Sequence, residues 1–154
     1  KELHVQAEHK LAQVLCDLKI LQSTTPIDAQ GLGLVRTFFP HGLGHLLGIQ
    51  VHDIGGHLLN DEGKQAVRDP NVPNIRTLRP LEENYVFTNE PGIYFIEPLL
   101  AKQQQGEHKQ FFNWTLIEEL KPYGGIRIED DLLITAKGCE NLTRPYVDAG
   151  FVID

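Results

Sequence analysis

Four histidines, His41, His45, His52 and His57, fall within 17 residues, interleaved with Gly42, Gly44, Gly48, Gly55 and Gly56. A neutral imidazole in partly apolar surroundings, here beside Leu43, Leu46, Leu47 and Ile49, suits metal ligation or proton transfer near pH 7. Three glycines between positions 42 and 48 argue against a helix, so this is not the helical two-histidine zinc arrangement. In an extended segment His41 and His45 share a face, whereas His52 needs a turn or bulge to join them. Glycines supply that freedom. A glycine-rich surface loop with solvated histidines is the competing reading.

Two carboxylates stand out next. Glu90 sits in Val86-Phe87-Thr88-Asn89-Glu90-Pro91-Gly92-Ile93-Tyr94 and Glu129 in Gly125-Ile126-Arg127-Ile128-Glu129-Asp130-Asp131-Leu132. Period-two alternation in the second segment puts Ile126 and Ile128 on one face and Arg127 and Glu129 on the other. A carboxylate buried without a partner costs several kcal/mol, so each needs a cation or a set of donors. Arg127 could serve Glu129 alone as a structural ion pair. Glu90 has no basic residue close in sequence, the preceding one being Arg79. A hard divalent ion shared by Glu90, Glu129 and a histidine meets both needs at once.

The elements that must position these groups change character along the chain. Residues 1–21 read as one helix with Leu3, Ala7, Leu11, Leu15 and Leu18 on one face. Ser23-Thr24-Thr25-Pro26 ends it, and a short second helix runs from Pro26 towards Leu34. Beyond Phe38, glycine and proline punctuate strand-like runs near Ile49–His52, Tyr85–Glu90, Ile93–Ile96, Gly125–Asp130 and Leu132–Thr135. Asn113 caps a short helix to Leu120, and Lys102–Lys109 reads as a polar loop. Helices first and a mainly antiparallel sheet after them predict an α+β architecture.

Composition narrows the function classes. The 154 residues carry 41% hydrophobic and 23% charged side chains, values typical of a globular domain. A net charge of −7 gives no general electrostatic reason to bind nucleic acid or anionic membranes. No apolar run approaches the ~20 residues of a membrane-spanning helix. Cys16 and Cys139 form no CxxC pair and read as two buried thiols in a reducing compartment. The chain opens mid-helix and contains no methionine, which predicts a piece of a longer protein.

The same segments resemble the pita-bread metallopeptidases, the family of methionine aminopeptidase, aminopeptidase P, prolidase and creatinase. The matching pieces are His41-Gly42-Leu43-Gly44-His45 with Val51-His52-Asp53, then Thr88 to Tyr94, then Gly125 to Asp130. Asn113-Trp114, Glu119-Leu120-Lys121-Pro122 and Glu140-Asn141-Leu142-Thr143-Arg144 narrow the resemblance to bacterial Xaa-Pro dipeptidases (prolidases), from about residue 2 to about residue 146.

The resemblance implies a fold that is part of a pita-bread domain, a curved antiparallel sheet with helices packed on one face. It makes His45, Glu90 and Glu129 metal ligands, with Glu90 also handling the proton of the attacking water. His52 and His41 would be catalytic pocket residues, His52 near the scissile carbonyl. Arg76 would grip the substrate's terminal carboxylate, and Arg127 would orient Glu129. His4, His9, His57 and His108 match nothing and read as surface residues.

Two divalent ions per full-length subunit, Mn(II) by family habit, would activate a water to hydrolyse Xaa-Pro dipeptides. The full-length protein would be a cytoplasmic homodimer without nucleic-acid or membrane partners. The family's two aspartate ligands precede the histidine motif, and here only Asp17 and Asp28 do, neither in a strand-like segment. Residues 1–154 therefore resemble the carboxyl-terminal portion of a catalytic domain, without the amino-terminal domain and the first two ligands. Weak or no metal binding and no useful turnover are expected of this portion alone. An aminopeptidase P, which releases the residue before proline from longer peptides, and a non-catalytic peptide-binding relative are the alternatives.

Overall fold

The computed structural model describes residues 1–70 and 74–147, so the end of the 1–154 portion lies outside the described residues. In chain order the elements are helices α1 (Glu2–Asp17) and α2 (Pro26–Gly31), strands β1 (Val86–Asn89) and β2 (Gly92–Tyr94), helices α3 (Glu97–Gln104) and α4 (Trp114–Leu120), strands β3 (Gly125–Arg127), β4 (Asp130–Thr135) and β5 (Gly138–Asn141), and helix α5 (Arg144–Val147). They divide into two compact units. One comprises Gly42–Pro91 and the chain from Ile128 onward, with Lys1. The other comprises Glu2–His41 and Gly92–Arg127. No helix among the described residues is long and apolar enough to cross a membrane.

In the unit of Glu2–His41 and Gly92–Arg127, local sequence sets the helix ends. Pro26 opens α2, and Thr25 Oγ1 accepts from the Asp28 N–H at 3.2 Å. Asn113 caps α4 by accepting from the Leu116 N–H. Helix α3 arises where a polar loop was expected from Lys102. It has no side-chain cap, but Pro98 and Glu97 stand in its first turn, where helices commonly start. The core holds Leu15, Leu34, Phe38, Phe112 and Ile117, each no more than 1% exposed. Burying a side chain of Phe38's size contributes about 2–3 kcal/mol.

Helix α1 buries a stripe rotated from the one its leucines predict, the two sharing Leu15. Leu3 and Leu18 are 48% and 58% exposed, while His4, Glu8, Ala12 and Leu15 face inward. Two polar side chains can occupy that stripe because they are paired. Glu8 Oε1 accepts from Arg36 Nε at 2.9 Å and lies 3.6 Å from His4 Nε2, and the His4 ring stacks on Phe39. His4 is therefore a buried residue and not a surface one. Burial alone would raise the Glu8 carboxyl, but the bonds from His4 and Arg36 outweigh it and hold the group below its ordinary value.

In the unit of Gly42–Pro91, β1, β4 and β5 form an antiparallel sheet in that spatial order turned about β4. Asn84, at φ 73°, makes the left-handed turn before β1 that glycine often makes, a conformation asparagine tolerates. The expected strand 125–130 is split between β3 and β4, and β5 was not foreseen. The other sheet, β2 with β3, belongs to the second unit.

The expected strand Ile49–His52 does not form. The Asp53 N–H donates back to the Leu46 carbonyl and the Gly48 N–H to the Gln50 carbonyl, closing a tight loop that leaves Ile49 and Val51 exposed. Neither cysteine is fully buried. Cys16 is half-buried, with burial pushing its thiol up, and Cys139 is exposed on β5.

Candidate metal centre

Three adjacent backbone segments run antiparallel around β1. On one side is the histidine segment. The Leu47 N–H donates to the Val86 carbonyl, the Thr88 N–H to the His45 carbonyl and the Glu90 N–H to the Leu43 carbonyl, at 2.8–3.0 Å. Gly44 permits this approach, since a Cβ there would stand 1.7 Å from the Thr88 carbonyl oxygen. On the other side is β4, with Asn89 opposite Asp130. That register sets Glu129, just before β4, against Glu90, just after β1, while His45 lies opposite Thr88.

One ligand atom from each of His45, Glu90 and Glu129 lies within 4.8 Å of the others. His45 and Glu90 are buried and Glu129 is exposed. His45 Nε2 stands 3.5 Å from Glu90 Oε1. His45 Nδ1 is 3.0 Å from the Leu46 carbonyl oxygen. A carbonyl can only accept, so Nδ1 carries a proton and Nε2 is the ring nitrogen that faces the carboxylate. One imidazole and two carboxylates form a donor set suited to Mn(II) or Zn(II), and the residues fit such an ion.

His52 also reaches this cluster. The loop closed by Asp53 and Leu46 brings its ring edge-on to His45, centroids 4.3 Å apart. Thr88 was not singled out from the sequence, yet it is 1% exposed and bonded to both neighbours. The His45 N–H donates to Thr88 Oγ1 at 2.9 Å, and Oγ1 lies 3.1 Å from Glu90 Oε1. The available signal was its position two residues before Glu90, on the same strand face. Arg76 is exposed on the segment after residue 74, and among the described residues its guanidinium pairs with nothing.

His41 and Arg127 fall in the other unit, with Tyr94. Arg127 Nε donates to Tyr94 Oη, the guanidinium lies over the Tyr94 ring, and its Nη2 is 3.4 Å from His41 Nε2. An arginine N–H can only donate, so His41 Nε2 accepts and the ring proton sits on Nδ1. Tyr94 Oη lies 3.0 Å from the same nitrogen.

Comparison with known proteins gives this geometry a family. The pattern of metallopeptidase family M24 matches residues 2–136. The Xaa-Pro dipeptidase of Shewanella pealeana is 46% identical over 146 residues, covering 93% of this chain and 32% of that protein. The Xaa-Pro dipeptidase of Xanthomonas axonopodis is 45% identical over 149 residues, covering 97% of this chain and 34% of that protein. The chain thus spans about a third of the length of these relatives. Among solved structures, zinc-substituted Escherichia coli aminopeptidase P in complex with product superposes with a TM-score of 0.57 at 28% identity, over 94% of this chain and 25% of that one. Proline aminopeptidase P II from Yersinia pestis gives 0.58 at 30% identity, over 99% and 27%. The helices and antiparallel sheets are accordingly an α+β portion of the pita-bread fold, and with the family pattern matched over residues 2–136 the chain belongs to metallopeptidase family M24.

Proposed function

We propose that this chain is the carboxyl-terminal portion of the catalytic domain of a cytoplasmic Xaa-Pro dipeptidase and supplies three ligands, His45, Glu90 and Glu129, to a pair of Mn(II) ions. The observation that carries this reading is the convergence of those three ligand atoms within 4.8 Å. Bound metal would supply an activated water at neutral pH and polarise the scissile carbonyl. His45 offers Nε2, held in that tautomer by the Leu46 carbonyl. Glu90 would hold metal and take the water's proton, and Glu129 would be the second carboxylate ligand. His52, edge-on to His45, would donate towards the substrate carbonyl. Arg76 would form a bidentate bond to the carboxylate of a dipeptide, a charge a longer peptide lacks at that point. By the resemblance His41 would be a pocket residue and Arg127 would orient Glu129, and the full-length protein would work as a homodimer.

Calorimetric titration of Mn(II) into the chain tests the centre. Weak binding is expected, abolished by His45→Ala, and binding unchanged by that substitution sinks the assignment. The similarity to aminopeptidase P structures favours a second reading, release of the residue before proline from longer peptides. A longer protein containing this chain, offered Leu-Pro and a Leu-Pro-headed tripeptide, distinguishes them. Hydrolysis of the dipeptide alone supports the dipeptidase, and hydrolysis of neither favours a non-catalytic peptide-binding relative.

A further inference from the structure

We propose that Thr88 is a positioning residue whose hydroxyl clamps the backbone of His45 to the carboxylate of Glu90, setting the distance between two ligands of the metal centre. The inference rests on the metal-centre reading above and adds a residue to it.

Thr88 Oγ1 has one proton to give and two lone pairs to offer. The His45 N–H can only donate, and at 2.9 Å it takes up a lone pair. The single hydroxyl proton then has two acceptors, Glu90 Oε1 at 3.1 Å and the His45 carbonyl at 3.4 Å. The carboxylate is nearer and charged, and the carbonyl already accepts the Thr88 N–H at 2.9 Å, so the proton points at Glu90. The result is a directed chain, His45 N–H to Thr88 Oγ1–H to Glu90 carboxylate, in a place where Thr88 is 1% exposed and water cannot substitute. Glu90 Oε1 is also the oxygen 3.5 Å from His45 Nε2, so the clamp fixes one prospective ligand atom directly and the backbone that carries the other. If Thr88 served only as a β-branched strand residue, valine would replace it without loss.

Thr88→Val keeps the shape and removes the hydroxyl, while Thr88→Ser keeps the hydroxyl. Two readouts on the whole chain decide the matter: amide hydrogen exchange without metal, and Mn(II) affinity from paramagnetic resonance titration. In Thr88→Val the His45 amide is expected to exchange about tenfold faster, with the Ile134 amide of the β1–β4 ladder unchanged. Mn(II) affinity is expected to fall about tenfold or more. Thr88→Ser is expected to restore both to within about threefold, about half the logarithmic loss. Unchanged His45 exchange in Thr88→Val overturns the clamp. So does equal acceleration at His45 and Ile134, or a serine variant as impaired as the valine one. Should neither this chain nor a longer protein containing it bind Mn(II), the metal-centre reading fails, and the exchange measurement still decides whether the hydroxyl clamps His45 to Glu90.

Discussion

Each unit of this protein buries a glutamate against a histidine at almost the same distance. In one, Glu8 Oε1 lies 3.6 Å from His4 Nε2, and in the other Glu90 Oε1 lies 3.5 Å from His45 Nε2. Their surroundings differ in kind. Glu8 receives the Arg36 guanidinium at 2.9 Å, and the three side chains close on themselves. Glu90 instead has a hydroxyl beside it and a second carboxylate, Glu129, within reach of the same point. A buried acid completed by a cation of the chain is a structural element. A buried acid placed beside another acid and an imidazole nitrogen makes a donor set for a cation from solution.

Substitutions should behave oppositely at the two places. Glu8→Gln is expected to cost about 2 kcal/mol of folding stability by removing charge-assisted bonds, read from urea unfolding. Arg36→Met should cost a similar amount and leave Mn(II) binding intact. The guanidinium is 42% exposed, which keeps its loss below the 3–5 kcal/mol of a fully buried pair. Glu90→Gln should change metal-free stability by less than about 0.5 kcal/mol, since it relieves repulsion from Glu129, while lowering Mn(II) affinity at least tenfold. If Glu90→Gln destabilised the metal-free chain as much as Glu8→Gln does, the two clusters would be of one kind.

Acid sharpens the contrast. Because the folded-state carboxyl of Glu8 is held below its ordinary value of 4.5, its contribution is complete above pH 4.5 and disappears as pH falls through the lowered value. The stability gap between the unsubstituted chain and Glu8→Gln should therefore narrow below pH 4.5. A gap that stays constant would remove Arg36 and His4 as the cause. The smallest expected effect concerns the thiols. Exposed Cys139 should react with a disulfide reagent several-fold faster than Cys16, whose thiol burial pushes up.

Much of the centre was legible along the chain because its residue types are costly to keep without a use. A histidine between glycines and a glutamate with no basic neighbour both demanded partners, and His45, Glu90 and Glu129 do converge. Thr88 escaped notice because a threonine on a strand is ordinary, and only its place opposite His45 makes its hydroxyl part of the cluster. Helix α1 misled for the complementary reason. Its leucine spacing is genuine, but Arg36, 28 residues from Glu8, lets a polar stripe turn inward instead.

Residue chemistry and local backbone preference therefore determined the α+β class and the capped starts of α2 and α4, and narrowed the ligands to two glutamates and one of several histidines, the family resemblance selecting His45. Those are properties of a side chain and its near neighbours. Tertiary structure decided the pairings: His45 opposite Thr88, Asn89 opposite Asp130, Glu8 against Arg36. These depend on register between segments far apart in the chain, where a shift of one residue would turn every ligand to the other face.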